Sequence, residues 1–186
     1  SAEHSFTLSG EAVLYRDISG KALRYGRDDF GRITTITDDA LSAELKYDAL
    51  GRMISQAVTD TASSSGMTTA LEYDDFGRET LRTLTDSTGV TLSVSQTWLD
   101  NDLLATRTTR QSGAVIREEK YDYDNRNRLV SYTATGSSLV LDGYGQPMTG
   151  QVYQYDALNN LTVVTTSLGD GTTDAATYHY ENGEDP

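Results

Sequence analysis

One short phrase recurs along this chain, and repetition at intervals of tens of residues limits the fold to architectures built by stacking a single unit. Its clean copies are Tyr47-Asp48-Ala49-Leu50-Gly51-Arg52, Tyr73-Asp74-Asp75-Phe76-Gly77-Arg78, Tyr123-Asp124-Asn125-Arg126-Asn127-Arg128 and Tyr155-Asp156-Ala157-Leu158-Asn159-Asn160. Degenerate copies lie at Arg27-Asp28-Asp29-Phe30-Gly31-Arg32, Trp98-Leu99-Asp100-Asn101-Asp102 and Leu141-Asp142-Gly143-Tyr144-Gly145-Gln146, and Tyr180-Glu181-Asn182-Gly183 begins one more. Unshortened steps are roughly 20 to 26 residues, the size of one supersecondary unit.

The phrase reads as a hairpin. Aspartate opening a type I turn accepts backbone N–H bonds through its carboxylate, and glycine or asparagine at the fourth position tolerates positive φ and closes the loop with a bulge. Asn127 and Asn159 suit that position because asparagine enters the left-handed region more readily than other side chains. Tyrosine before the turn and arginine after it then lie on paired strands, where the guanidinium can cross the ring. One aspartate per turn is what a turn needs, so these carboxylates read as structural groups and not as catalytic pairs.

Small polar turns alternate with the phrases, at Asp17 to Gly20, Thr61 to Gly66, Asp86 to Gly89, Gln111 to Gly113, Thr135 to Ser138 and Gly169 to Gly171. Between them run stretches rich in Thr, Val, Tyr and Leu, such as Arg82 to Thr85, Val90 to Trp98, Ala114 to Tyr123 and Leu161 to Thr166. Partial alternation of apolar and polar residues makes these strands. The expected fold is all-β: an antiparallel meander of about fifteen short strands forming a twisted, curved strip, with phrase turns along one edge and polar turns along the other. Thr37 to Tyr47 has some helical propensity but runs into a phrase, and is assigned to a hairpin. Residues 1-12 form an N-terminal flank and residues 13-186 the repeat array, which closes inside a repeat.

Chemistry has little foothold. His4 and His179 are the two histidines; no Gly-x-Ser-x-Gly elbow accompanies them. Asp100 to Asp102 and Asp122 to Asn125 lack the glycine and glutamate of a hand-shaped calcium loop. There is no cysteine, hence no disulfide or thiolate metal site. The formal charge of -13 is spread along 186 residues and would repel nucleic acid and anionic membranes. No run approaches the roughly 20 apolar residues of a membrane helix. Neither catalysis nor a cofactor is expected.

Tandem Tyr-Asp-x-x-Gly-Arg, best matched at Tyr47 to Arg52 and Tyr73 to Arg78, resembles the YD repeat of the Rhs and teneurin families. The segment from Tyr121 to Tyr180 resembles more narrowly the Rhs-type component of bacterial insecticidal toxin complexes. The resemblance implies a secreted or cell-surface bacterial protein in which such repeats form a sheet that spirals into a hollow shell around a toxic C-terminal domain. The implied partners are the rest of the shell, the enclosed toxin domain and other toxin-complex subunits. The family's self-cleaving aspartyl site lies after the repeats, and no Asp-Pro-x-Gly-Leu-like stretch occurs in this sequence. The residues implied to build the repeat are Tyr47, Asp48, Gly51, Arg52, Tyr73, Asp74, Gly77, Arg78, Tyr123, Asp124, Asn127, Arg128, Tyr155, Asp156 and Asn159. An adhesive or carbohydrate-binding surface, built from exposed tyrosines, is the alternative that the teneurin branch implies.

Overall fold

The computed structural model describes residues 3–8, 10–18 and 20–180. The chain divides into two compact units, Ser1–Ser93 and Val94–Pro186. The first holds β1 (Glu3–Phe6), β2 (Ala12–Arg16), β3 (Ala22–Arg27), β4 (Ile33–Thr37), β5 (Leu41–Tyr47), β6 (Met53–Asp60), β7 (Gly66–Tyr73) and β8 (Glu79–Asp86). β9 (Thr91–Trp98) crosses the boundary, and the second unit holds β10 (Leu104–Gln111), β11 (Ala114–Tyr123), β12 (Leu129–Thr135), β13 (Met148–Tyr155), β14 (Leu161–Leu168) and β15 (Thr173–Thr177). The described residues contain these fifteen strands and no helix, and the strand order in the sheet follows the chain. The all-β antiparallel meander read from the sequence is the observed fold.

The turns explain why the chain folds back at the phrases. At Asp48 the backbone N–H bonds the Arg52 carbonyl at 2.9 Å and the Gly51 N–H returns to the Asp48 carbonyl at 3.0 Å; Asp74, Asp124 and Asp156 repeat both bonds. Each Asp Oδ1 also accepts the N–H groups two and four residues on, as from Leu50 and Arg52 at 2.9 Å each. The register slips by one residue where Tyr47, Tyr73, Tyr123 and Tyr155 enter their turns, which is the bulge that a fourth residue at positive φ demands. Gly51 and Gly77 stand at φ 82° and 84°, Asn127 and Asn159 at 62° and 73°. Gly51→Val and Gly77→Val are therefore expected to cost about 1 to 2 kcal/mol each, because a β-branched side chain is forced into the left-handed region. Thermal melts against a valine substitution at exposed Thr97 check this, and unchanged midpoints at both glycines would contradict it.

The turn is more widespread than the phrase. Thr7, Asp17, Asp86, Leu99, Asp142 and Leu168 open turns with the same pair of backbone bonds. Three of the polar turns expected as a separate class, those at Asp17, at Asp86 and at Gly169 to Gly171, thus share the phrase geometry, Asp86 even capping the Thr88 and Val90 N–H groups. Strand pairing already begins at Glu3, where β1 joins β2 in a hairpin that runs across the 12/13 boundary read from the sequence. The segment from Thr37 to Tyr47 is a tight turn at Asp38 followed by β5, with Asp38 Oδ1 holding the Ala40 and Leu41 N–H groups. The degenerate copy at Leu141 stands apart from the others: it closes a bridge between Leu141 and Pro147 inside the β12–β13 connection, on the edge opposite the phrase turns of its unit. The remainder of the copy begun by Tyr180 lies outside the described residues.

Within each unit, alternation gives the sheet two unlike faces. On one, large residues meet across strands, as in Leu45↔Gln56, Val58↔Met67 and Leu71↔Arg82 in the first unit and Tyr121↔Tyr132 and Tyr153↔Val164 in the second. On the other, small residues predominate: Ser42↔Thr59, Ala57↔Thr68 and Ala70↔Thr83, then Thr133↔Gly150, Gly150↔Ser167 and Val152↔Thr165. Ala22 and Gly150 are buried on the small-residue side of their units, and Leu71, Thr109, Glu119, Tyr132 and Ala134 on the large-residue face. That face holds most of the apolar burial.

Candidate functional site

The repeated side chains converge on the turn edge of each unit, where they form a ladder. Arg52 shows the arrangement. Its Nε donates to Oδ2 of Asp48, in its own turn, at 2.7 Å. Its guanidinium lies 4.8 Å from the ring centre of Tyr73, in the next hairpin, and Nη1 donates to the Asp74 carbonyl there at 3.2 Å. Arg32 does the same toward Asp28, Tyr47 and Asp48, and Arg128 toward Asp124, Tyr155 and Asp156. Stacking within one hairpin, as expected from the sequence, is therefore replaced by stacking between hairpins. Paired strands do put Tyr47 and Arg52 side by side, but anchoring Arg52 Nε on Asp48 aims the guanidinium outward to the neighbour.

Each tyrosine reaches the other way. The Tyr47 hydroxyl donates to the Ile33 carbonyl at 2.7 Å and the Tyr73 hydroxyl to the Met53 carbonyl at 2.8 Å. Tyr123 bonds Leu104, Tyr155 bonds Leu129 and Tyr180 bonds Leu161 in the same way. The acceptor is always the residue just after the preceding turn. Arg27, which stands in the tyrosine position, sends Nη2 to the Ala12 carbonyl, the equivalent acceptor, at 3.4 Å. A departure from the motif thus keeps the contact with a different donor.

Of the residues expected to build the repeat, Asp48, Asp74, Asp124 and Asp156 hold turns, Gly51, Gly77, Asn127 and Asn159 close them, and Tyr47, Tyr73, Tyr123 and Tyr155 tie them backward. Arg52 and Arg128 tie forward; Arg78 bonds Asp74 Oδ2 at 2.7 Å and lies 4.9 Å from the Phe76 ring. Where Asn160 replaces arginine, its amide still reaches Asp156 Oδ2 at 2.9 Å.

The turn carboxylates are held below their ordinary range. For Asp48, burial pushes the value up, and the bonds from the Arg52 side chain and from the Arg52 and Leu50 N–H groups together outweigh it. Asp28 and Asp74 behave alike. For Asp124 the Arg128 N–H bond is the largest influence, and for Asp156 the Asn160 side chain. A carboxylate with a depressed folded value gives its full stabilisation above the usual 3.8 and loses it as pH falls through the lower folded value. Melting temperature should therefore be nearly flat from pH 7 to about 5 and drop steeply below about 4, with Asp48→Asn less acid-sensitive than the parent. Equal acid slopes for parent and variant would contradict this.

A second cluster, missed in the sequence, lies on the large-residue face of β10–β12. Glu119 is 5% exposed; its Oε1 accepts the Tyr132 hydroxyl at 3.0 Å and its Oε2 lies 3.2 Å from Arg117 Nε. The Tyr121 ring meets the Tyr132 ring tilted by 43° with centres 5.5 Å apart, and Arg107 lies 5.9 Å from the Tyr121 ring centre. Burial, then the Glu119 charge, push the Tyr132 hydroxyl far up. Alternation of Arg117, Glu119 and Tyr121 along β11 was the available signal, but charge on a buried face reads as an exposed strand until the partners are known. His4 packs against Tyr15 at 4.9 Å, and His179 lies beyond the end of β15. Among the described residues no three metal-ligating side chains gather, and no helix is long and apolar enough to cross a membrane.

No protein-family model matches the chain, and no curated protein sequence does. Solved structures do. TcdB2-TccC3 without its hypervariable C-terminal region aligns over 87% of this chain with a TM-score of 0.64 at 16% identity. TcdB2-TccC3-TEV aligns over 93% with a TM-score of 0.56 at 14% identity. The alignments take in 9% and 11% of those chains, so this chain spans about a tenth of their length. A Photorhabdus luminescens Tc holotoxin pore structure aligns at a TM-score of 0.41, too low to argue from. The resemblance to Rhs-type toxin-complex components carried by the Tyr-Asp phrase is matched in three dimensions: the chain has the fold of a segment of TcdB2-TccC3.

Proposed function

We propose that this chain is a non-catalytic structural segment of an Rhs/YD-repeat toxin shell that encloses a toxic C-terminal domain, with residues 13-186 as the array and residues 1-12 as the flank leading into it. The ladder carries the reading: its tyrosine hydroxyls and arginine faces are spent on neighbouring hairpins, as a wall requires. The same observation weighs against a carbohydrate-binding surface, because the motif tyrosines bring their hydroxyls already bonded to backbone. The small-residue face, dominated by Thr, Ser, Ala and Gly, offers an enclosed chain little apolar area to adhere to. The partners would be the rest of the shell, its cargo and other toxin-complex subunits, in a secreted or cell-surface protein.

The test is protease protection in the full-length protein that contains this segment. The downstream domain should resist digestion in the parent and become cleavable when Arg52 and Arg128 are both changed to alanine. A downstream domain digested equally fast in both, or the absence of any such domain, would overturn the proposal.

A further inference from the structure

In the second unit, third-position side chains of the phrase turns bond the neighbouring turn, Asn101 to Asn127 and Arg126 to Ala157 and Asn159, whereas the first unit has apolar residues at that position. The turn needs its first, fourth and fifth residues, and the third accommodates Asn101, Arg126 and Leu158 in the second unit. In the first unit three successive turns place Phe30, Leu50 and Phe76 there, 84%, 78% and 80% exposed. Phe30 and Phe76 lie beside Arg32 and Arg78 at 5.1 and 4.9 Å, yet keep most of their surface in water. Hairpins repeat every two strands, so the tips recur at roughly 10 Å along the edge. Large apolar groups in a regular exposed row mark an interaction surface more often than chance exposure does.

Charge selects the partner. Asp29 and Asp75, which precede the two phenylalanines, are exposed and enter no ion pair among the described residues, whereas Asp28, Asp48 and Asp74 are neutralised by their own arginines. A second copy of the edge would set carboxylate against carboxylate, and an anionic membrane would meet the chain's -13 charge. Two turns of an α-helix rise about 10.5 Å, close to the tip spacing, so apolar residues at heptad positions can meet successive tips. We propose that the Phe30-Leu50-Phe76 edge docks a basic amphipathic helix of another protein segment, with its apolar stripe on the tips and lysine or arginine beside Asp29 and Asp75. This surface goes beyond the wall role above and does not depend on it.

The probe is a synthetic 21-residue helical peptide with leucine at heptad positions and flanking lysines, titrated against the whole chain by calorimetry at two salt concentrations. The parent should bind at least tenfold more tightly than Phe30→Ser/Leu50→Ser/Phe76→Ser, and binding should weaken with salt and with Asp29→Asn/Asp75→Asn. The single variant Leu50→Ser should weaken binding measurably with an unchanged melting temperature. Equal affinity for parent and the serine variants would show adsorption to negative charge alone and overturn the proposal, as would absence of binding or equal binding of a glutamate-flanked peptide.

Discussion

Glu119→Ala lowers stability by about 3 kcal/mol, the largest single-residue effect expected in this chain. The substitution empties a buried site and strands two groups at once: the Tyr132 hydroxyl loses its acceptor and Arg117 loses the carboxylate 3.2 Å from its Nε. Truncating one partner of a buried ion pair costs several kcal/mol because the other charge stays desolvated, and partial exposure of Arg117 places this case at the lower end. Tyr132→Phe removes one hydrogen bond and keeps the ring against Tyr121, so about 1 to 2 kcal/mol is expected. Urea melts of both variants check the order. A Glu119→Ala protein as stable as the parent would mean that the carboxylate is solvated in solution.

Arg52→Ala is expected to cost about 2 kcal/mol, more than a surface arginine usually contributes. A surface ion pair alone is worth little, but this guanidinium combines a charged hydrogen bond to Asp48, a ring contact with Tyr73 and a bond to the Asp74 carbonyl. Arg52→Lys recovers only part of the loss, since an ammonium cannot serve the three partners from one planar fork. Lysine equal to arginine would reduce the ladder to simple charge.

The strands and turns were legible because their signals are local. Asp at the first turn position and Gly or Asn at the fourth dictate a five-residue bulged turn regardless of context, and β11 runs from Ala114 to Tyr123 as its composition indicated. The forward reach of Arg52 was not legible, because it depends on which carboxylate oxygen anchors Nε and on the spacing of the next hairpin. The equivalence of Asp17 and Asp86 to the phrase turns was hidden by the missing tyrosine and arginine, which serve contacts between hairpins and not the turn itself. Arg27 shows the converse. It has lost the tyrosine of the motif but keeps its hydrogen bond, which no identity-based reading of the phrase can register. The Glu119 cluster needed the β11–β12 register, which pairs Tyr121 with Tyr132 and is set by the bulge at Tyr123.

Coupling between hairpins is tested most directly by two double-mutant cycles sharing Arg52→Ala, one with Tyr73→Ala and one with Tyr47→Ala, read by urea denaturation. The ladder predicts an interaction of about 1 kcal/mol between Arg52 and Tyr73, in neighbouring hairpins, and a value within about 0.3 kcal/mol of zero between Arg52 and Tyr47, in the same hairpin. The reverse pattern, with Arg52 coupled to Tyr47 and independent of Tyr73, would show that each phrase closes on itself and that the sheet edge is not a ladder.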